Sequence, residues 1–117
     1  MEKTLSIEQR EAIQKKMEAL KKENPKVKKI MPIVVFGEDG DEKELYVVYF
    51  RKPNFMEYSK WMSLMKKDET KALKSLATDC FLAGDKELID DDDLFLFGTA
   101  GQLNNLMESR QSELVNF

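Results

Sequence analysis

Four consecutive aspartates at residues 90–93 are the densest group of side chains in this 117-residue chain that could do chemistry. Calcium loops place oxygen ligands at alternating positions, with a turn glycine and a distal bidentate glutamate. Here the acids are contiguous, and neither the glycine nor the glutamate follows at that spacing. A helix N-cap at Asp92 or Asp93, with its neighbours at the positive end of the helix dipole, explains the run more simply. We therefore predict no metal site.

The lone cysteine, Cys80, is the second candidate. A reactive thiol needs exposure and nearby positive charge, whereas Cys80 is flanked by Asp79 and Phe81 and shares an apolar helical stripe with Leu73 and Leu76. The chain contains no histidine that could activate a nucleophile or bind zinc. Its five glycines form neither Gly-Lys-Ser/Thr nor GxGxxG, the patterns that cradle phosphates. We predict no catalytic residue, no cofactor and no enzymatic activity.

Charge is distributed unevenly along the chain, whose net charge is −3. Residues 1–29 carry a net +4, residues 30–78 are neutral and residues 79–117 carry −7. A basic head and an acidic tail can complement each other within one fold or between copies, which leaves self-association open. Most basic residues are lysine, whereas arginine is better suited to bidentate phosphate and base contacts. We expect no nucleic-acid partner.

Length and composition indicate one soluble domain over residues 1–117. Domains most often have about 100–150 residues, and the uncharged runs are far shorter than the ~20 residues that cross a bilayer. The first residues lack the apolar stretch of a secretory signal, and a single cysteine suits a reducing compartment. We therefore expect a cytoplasmic protein with no membrane partner.

Local patterns predict an α+β fold in which one β-hairpin, or a small antiparallel sheet, packs against about four helices. A basic helix over 6–23 can begin with a capping box between Ser6 and Gln9. A hairpin over 27–51 joins two strands rich in β-branched and aromatic residues. Neither strand alternates cleanly between apolar and polar residues, so both faces should be covered, one by the domain's own helices and the other by something else, such as a partner. Pro32 lacks an N–H, which predicts an edge strand to which a partner could add a strand.

Two helices are predicted directly after the hairpin. Asn54 is a good N-cap for a helix over 55–67, with Glu57 at the capping-box position. Asp68 can cap the next helix, which we predict over 69–83.

The predicted helical part extends over 54–115. Gly84 offers a stop for the helix before it, and Thr99 with Gln102 can form a capping box for a final helix over 100–115. One side of this final helix carries Leu103, Leu106, Met107, Arg110 and Leu114.

The predicted core joins the hairpin to the helices that follow it. Its members are apolar residues on helical stripes and on the two strands. They are Val35, Val47, Tyr49, Phe55, Tyr58, Met62, Leu73, Leu76, Cys80 and Leu106.

The helix over 55–67 is more apolar than one small domain needs. Its apolar side chains cover about half of the helix circumference, while Met56 falls on the opposite, polar side. Aromatic and methionine side chains suit adaptable binding surfaces. Because one side suffices for the core, the remainder should bind a hydrophobic partner segment or self-associate. The predicted protein-binding residues are Phe55, Tyr58, Trp61, Leu64 and Met65, with Trp61 as the candidate anchor.

Residues 44–117 contain an ordered series of short motifs. An apolar strand runs into Arg51-Lys52-Pro53, a helix carries Tyr58, and a Leu-rich helix leads to Asp79-Cys80, Gly84-Asp85-Lys86, the acidic run and Leu94-Phe95-Leu96. This order resembles the small tail assembly chaperones of phages and prophages. The helix over 6–23 and the hairpin turn lie outside the resemblance.

The resemblance implies a non-catalytic protein that coats the hydrophobic tape-measure protein in the cytoplasm of the infected cell. It also implies that tail-tube subunits are brought to that complex, that the protein is absent from the finished virion, and that many members have a longer frameshifted form. Two alternatives are compatible with the size and composition. One is a phage structural protein similar to a head–tail connector, and the other is a small cytoplasmic adaptor that binds one protein.

Overall fold

Three antiparallel strands in the order β1–β2–β3 form the sheet of the computed structural model, which describes residues 3–107 and 111–116. The strands are β1 (Ile30–Phe36), β2 (Leu45–Arg51) and β3 (Phe81–Gly84). Ile30 lies opposite Arg51 and Phe36 lies opposite Leu45, so the two long strands pair over their full length. The predicted hairpin is confirmed, and β1 lies at a sheet edge as Pro32 predicts.

Helices make up most of the remaining described chain, which confirms the α+β class. They are α1 (Ile7–Glu23), α2 (Phe55–Met65), α3 (Glu69–Cys80), α4 (Glu87–Asp90), α5 (Asp92–Leu94) and α6 (Ala100–Leu103). A π-helical turn over Phe95–Thr99 joins α5 to α6, and a 3₁₀ turn over Asn104–Met107 follows α6. The first three helices begin at the predicted caps Ser6, Asn54 and Asp68.

The main core lies between one face of the sheet and the helices from α3 onward. Its buried members are Ile33, Tyr46, Val48 and Phe50 from the strands and Leu76, Ala77, Cys80, Leu88, Ile89, Phe95, Leu103 and Leu106 from the helices. Helix α1 lies against the other face, where Leu20 is buried with Ile30 and Tyr49. Elements of the chain itself therefore pack on both faces of the hairpin, and the expectation that something else covers the second face is wrong.

The predicted core is confirmed except on α2. Tyr49, Leu76, Cys80 and Leu106 are buried, and Val35, Val47 and Leu73 pack half-buried against the two cores. Phe55, Tyr58 and Met62 are exposed, so their assignment to the core is wrong. The physical reason is position, because α2 packs against α3 at the periphery and has no buried residue.

The predicted helix over 69–83 ends early, at Cys80, because the next four residues pair with β2 as β3. Gly84 ends this strand with a φ of +107°, and a Cβ there would lie 2.5 Å from the Val47 carbonyl oxygen. Asp85 continues the pairing in another form: its N–H donates to Val47 O at 2.8 Å, and its Oδ2 accepts from Val47 N at 2.9 Å. Backbone pairing with a distant strand thus overrides the local helical pattern.

The predicted final helix over 100–115 is also misplaced. The helical run begins at Asp92, is described as far as Met107, and gives way to irregular chain at 111–116, where Leu114 is exposed. Arg110 lies outside the described residues. Thr99 is not a cap but a buried residue inside the run, and its hydroxyl donates to Leu88 O at 2.7 Å.

Asp91, rather than Asp92 or Asp93, caps this helical run. Its Oδ1 accepts from the N–H groups of Asp93 and Leu94, both at 3.0 Å. A side-chain oxygen one or two residues earlier in the acidic run accepts from the free N–H groups, so the predicted cap is present but the capping residue is Asp91.

Candidate protein-binding surface

Helix α2 is held to the rest of the domain by Arg51, the last residue of β2. Its guanidinium donates to Glu57 Oε1 at 2.8 Å and to Glu57 Oε2 at 2.6 Å. It also donates to the Asp79 carbonyl oxygen, at 2.8 Å, near the end of α3. Glu57 Oε1 accepts from Asn54 N at 2.9 Å as well, which closes the capping box. One arginine thus ties the sheet, the start of α2 and the end of α3 together.

This cluster shifts the proton equilibria of both partners. The hydrogen bonds from Arg51 hold the pKa of Glu57 below its ordinary value, and those from Glu57 raise the pKa of Arg51. The two shifts agree in direction because each partner favours the charged form of the other. Both groups therefore favour their charged forms, and their ion pair holds the start of α2 to the end of β2.

Apolar side chains occupy the outward side of α2. Phe55, Tyr58 and Met62 are 79%, 40% and 45% exposed, and we call them the outer stripe. Their spacing of i, i+3 and i+7 places them on one side of a helix. This is the spacing of anchor residues in helices that bind an apolar groove or segment of a partner. Met56 is equally exposed, at 75%, but its position places it away from the stripe.

The five predicted binding residues divide into two groups. Phe55 and Tyr58 are exposed, whereas Trp61, Leu64 and Met65 are half-buried, and Trp61 packs against the main core. The Trp61 and Tyr58 rings lie 5.8 Å apart at 44°, so the exposed tyrosine rests on the tryptophan. Trp61 therefore lies beneath the exposed Tyr58 and is not itself among the most exposed residues of the surface.

Trp61 also carries an unusual polar group. Among the described residues, its Nε1 is the buried side-chain nitrogen or oxygen that has no hydrogen-bond partner. Buried polar groups are nearly always paired, because an unpaired donor forfeits its bond to water.

Sequence reasoning missed Met62 as a surface residue, and no local signal separated it from Met65 one turn away.

A second exposed apolar pair, Leu96 and Phe97, lies in the π-helical turn. This turn sits close to β1, because a Cβ on Gly98 would lie 2.8 Å from Val35 Cγ1. Sequence analysis assigned no binding role to these two residues.

The two candidates for chemistry occupy structural positions. Cys80 is fully buried, and burial raises the pKa of its thiol to about 12, which disfavours the reactive thiolate. Within residues 3–107 and 111–116, no group of three or more cysteine, aspartate or glutamate side chains is arranged to hold a metal ion. None of the helices in this part of the chain is long and apolar enough to span a membrane.

Residues 20–95 match the model of a protein family described as a domain of unknown function, DUF6848. The match covers more than half of the chain, so the chain belongs to this family. It includes the whole sheet, α2 and α3, and leaves out most of α1 and the helical turns after Phe95. No curated protein and no solved structure matches the chain.

Proposed function

We propose that this DUF6848 protein is a non-catalytic protein-binding module that holds a hydrophobic client segment on the outer stripe of α2. The proposal rests on one observation, which is that α2 is rich in apolar residues and yet buries none of them. Seven of its eleven residues are aromatic, methionine or leucine, yet none is buried in the domain. Exposed apolar groups that gather on one side of an element are typical of interaction surfaces.

The client that we propose is the tape-measure protein of a phage tail, with tail-tube subunits as a further partner. This step rests on the resemblance of the motifs in residues 44–117 to tail assembly chaperones. Arg51, in the Arg-Lys-Pro motif, holds the start of α2 through its two hydrogen bonds to Glu57. A long, varied and apolar client suits aromatic and methionine contacts, which give contact area without requiring one sequence. In this proposal the protein acts in the cytoplasm of the infected cell.

The test is capture of a co-expressed tape-measure fragment by the full chain. Phe55→Ser removes a stripe residue, and Met56→Ser is the matched control, because the two neighbours are 79% and 75% exposed on different sides of α2. We expect Phe55→Ser to weaken binding at least about tenfold and Met56→Ser to leave binding unchanged. Equal binding by both variants would contradict the outer stripe as the binding surface.

A second measurement separates a chaperone from a structural phage protein. Mass spectrometry of purified particles should not detect an assembly chaperone, whereas a head–tail connector stays in the virion. Detection of the protein at stoichiometric amounts in particles would contradict the proposed function even if the tape-measure fragment binds.

A further inference from the structure

The outer edge of β1 is an unpaired strand edge built almost entirely of apolar residues. Within the described chain, β1 pairs with β2 alone. Gly37 N donates to Glu44 O at 2.9 Å, and Lys52 N donates to Lys29 O at 3.3 Å. These two bonds show which residues of β1 form hydrogen-bonded pairs with β2. Because hydrogen-bonded pairs alternate, the odd-numbered residues of β1 bond to β2. The even-numbered residues direct their backbone groups outward, and Pro32 is among them.

Open space lies on both sides of this edge. A groove of about 900 Å³ separates β1 from α1, and a cleft of about 440 Å³ separates β1 from α6 and the 3₁₀ turn. Ile30, Pro32 and Val34 line both. Ile13 and Met17 of α1 line the groove together with these apolar strand residues. The α1 side also carries polar and charged groups, namely Arg10, Gln14, Glu18, Lys21 and Lys22. A seven-residue apolar edge flanked by free space is a template for pairing with another strand.

We propose that two copies of this chain pair through this edge, β1 against β1, in antiparallel orientation. Centred on Ile33, the pairing places Ile30 opposite Phe36 and Pro32 opposite Val34. Each residue whose backbone N–H and C=O groups point outward then lies opposite such a residue of the second copy. The ladder contains about six hydrogen bonds, because each Pro32 lacks the N–H for a seventh and eighth.

Charge complementarity argues for a second copy and for this direction. Lysines 26, 28 and 29 precede β1, whereas the hairpin turn after β1 carries Glu38, Asp39, Asp41 and Glu42. Antiparallel pairing of identical strands brings the basic start of each β1 beside the acidic turn of the other. In the register centred on Ile33, Lys28 lies opposite Glu38, and both side chains are exposed in the single chain. A parallel arrangement would instead place like charges together at each end.

The first measurement is sedimentation velocity on the full chain between about 1 µM and about 500 µM. We expect a monomer–dimer equilibrium with a dissociation constant inside this range. A chain that stays monomeric throughout would overturn the proposal, and so would a dimer that the outer-stripe variant Phe55→Ser abolishes.

A charge exchange tests the pairing and its direction. A dimer of Lys28→Glu would contain two Glu–Glu contacts, and a dimer of Glu38→Lys would contain two Lys–Lys contacts. Because like charges repel, the dissociation constant of each variant dimer should rise at least about tenfold. An equimolar mixture of the two variants should dimerise again, because a mixed pair restores both opposite-charge contacts. Lys15→Glu, on an exposed position of α1, is the control of equal charge and should dimerise like the unchanged chain. Failure of the mixture to recover would overturn the antiparallel register.

Pro32→Val tests the backbone ladder itself. It supplies the missing N–H on each strand, so the dissociation constant should fall about threefold to tenfold. On an edge that faces only water, the same change would not affect association. An unchanged dissociation constant would therefore overturn strand pairing through β1.

Discussion

Helices α2 and α3 are neighbours of nearly equal length, yet they differ in burial. Each begins at a side-chain cap, Asn54 for α2 and Asp68 for α3. Helix α3 has fewer large apolar residues but buries Ala72, Leu76, Ala77 and Cys80, whereas the more apolar α2 buries none. Apolar content therefore does not decide which helix enters the core.

Side-chain size explains the difference. Ala77 and Cys80 are small and fully buried in the main core beside Leu76, which lets the α3 backbone approach β2, α4 and α6 closely. The large residues of α2 cannot approach so closely, and α2 packs on α3 instead. Helix α3 therefore stabilises the core, and we infer that the exposed apolar side chains of α2 bind a partner.

Leu76→Ala in α3 should produce the largest effect on stability. Leu76 is 2% exposed at the centre of the main core, so its truncation should lower the free energy of unfolding by roughly 2–5 kcal/mol. Urea titration followed by circular dichroism measures this difference. A loss below about 0.5 kcal/mol would place Leu76 at the surface, and the difference in burial between α2 and α3 would no longer hold.

Glu57→Gln should weaken the connection between α2 and the sheet by roughly 1–3 kcal/mol at neutral pH, because Arg51 loses a charged, bidentate partner. The folded-state pKa of Glu57 lies below its unfolded value. Its contribution is therefore complete above the unfolded pKa, near 4.5, and is lost as the pH falls through the lower folded value. The stability of the variant should depend less on pH in that acidic window, with exposed Glu69→Gln as the control that retains the dependence.

Trp61→Phe should change stability by less than about 1 kcal/mol, although Trp61 is the largest side chain of α2. The smaller ring loses packing, but the change also removes the buried Nε1–H that has no acceptor among the described residues. Trp61→Ala should cost clearly more, because it removes the ring that packs against the main core. A loss in Trp61→Phe as large as that in Trp61→Ala, measured by thermal unfolding, would contradict this prediction.

Phe55→Ser should give the smallest effect, within about 0.5 kcal/mol of the unchanged chain, because Phe55 lies at the surface of α2. Thermal unfolding measures this. A loss comparable to that of Leu76→Ala would mean that Phe55 belongs to the core, and the contrast between the two helices would disappear.

The candidate surface was only partly predictable from sequence. Periodicity placed Phe55 and Tyr58 on one side of α2, but the same reasoning assigned both to the core and to the binding surface. It also put Met62 in the core, although the residue is 45% exposed. A helical wheel shows which side chains share a side, and it contains no information on which side another element covers.

Sequence patterns alone were sufficient for the features that depend on neighbours along the chain. The caps at Ser6, Asn54 and Asp68 arise from hydrogen bonds across three residues, and the hairpin joins two β-rich segments through a short turn. Tertiary structure decided the features that depend on distant residues. Phe81–Gly84 became a strand because β2 offers a free edge, and α2 stayed at the surface because α3 fits the sheet more closely. The free energy of such contacts depends on residues that local patterns do not bring together.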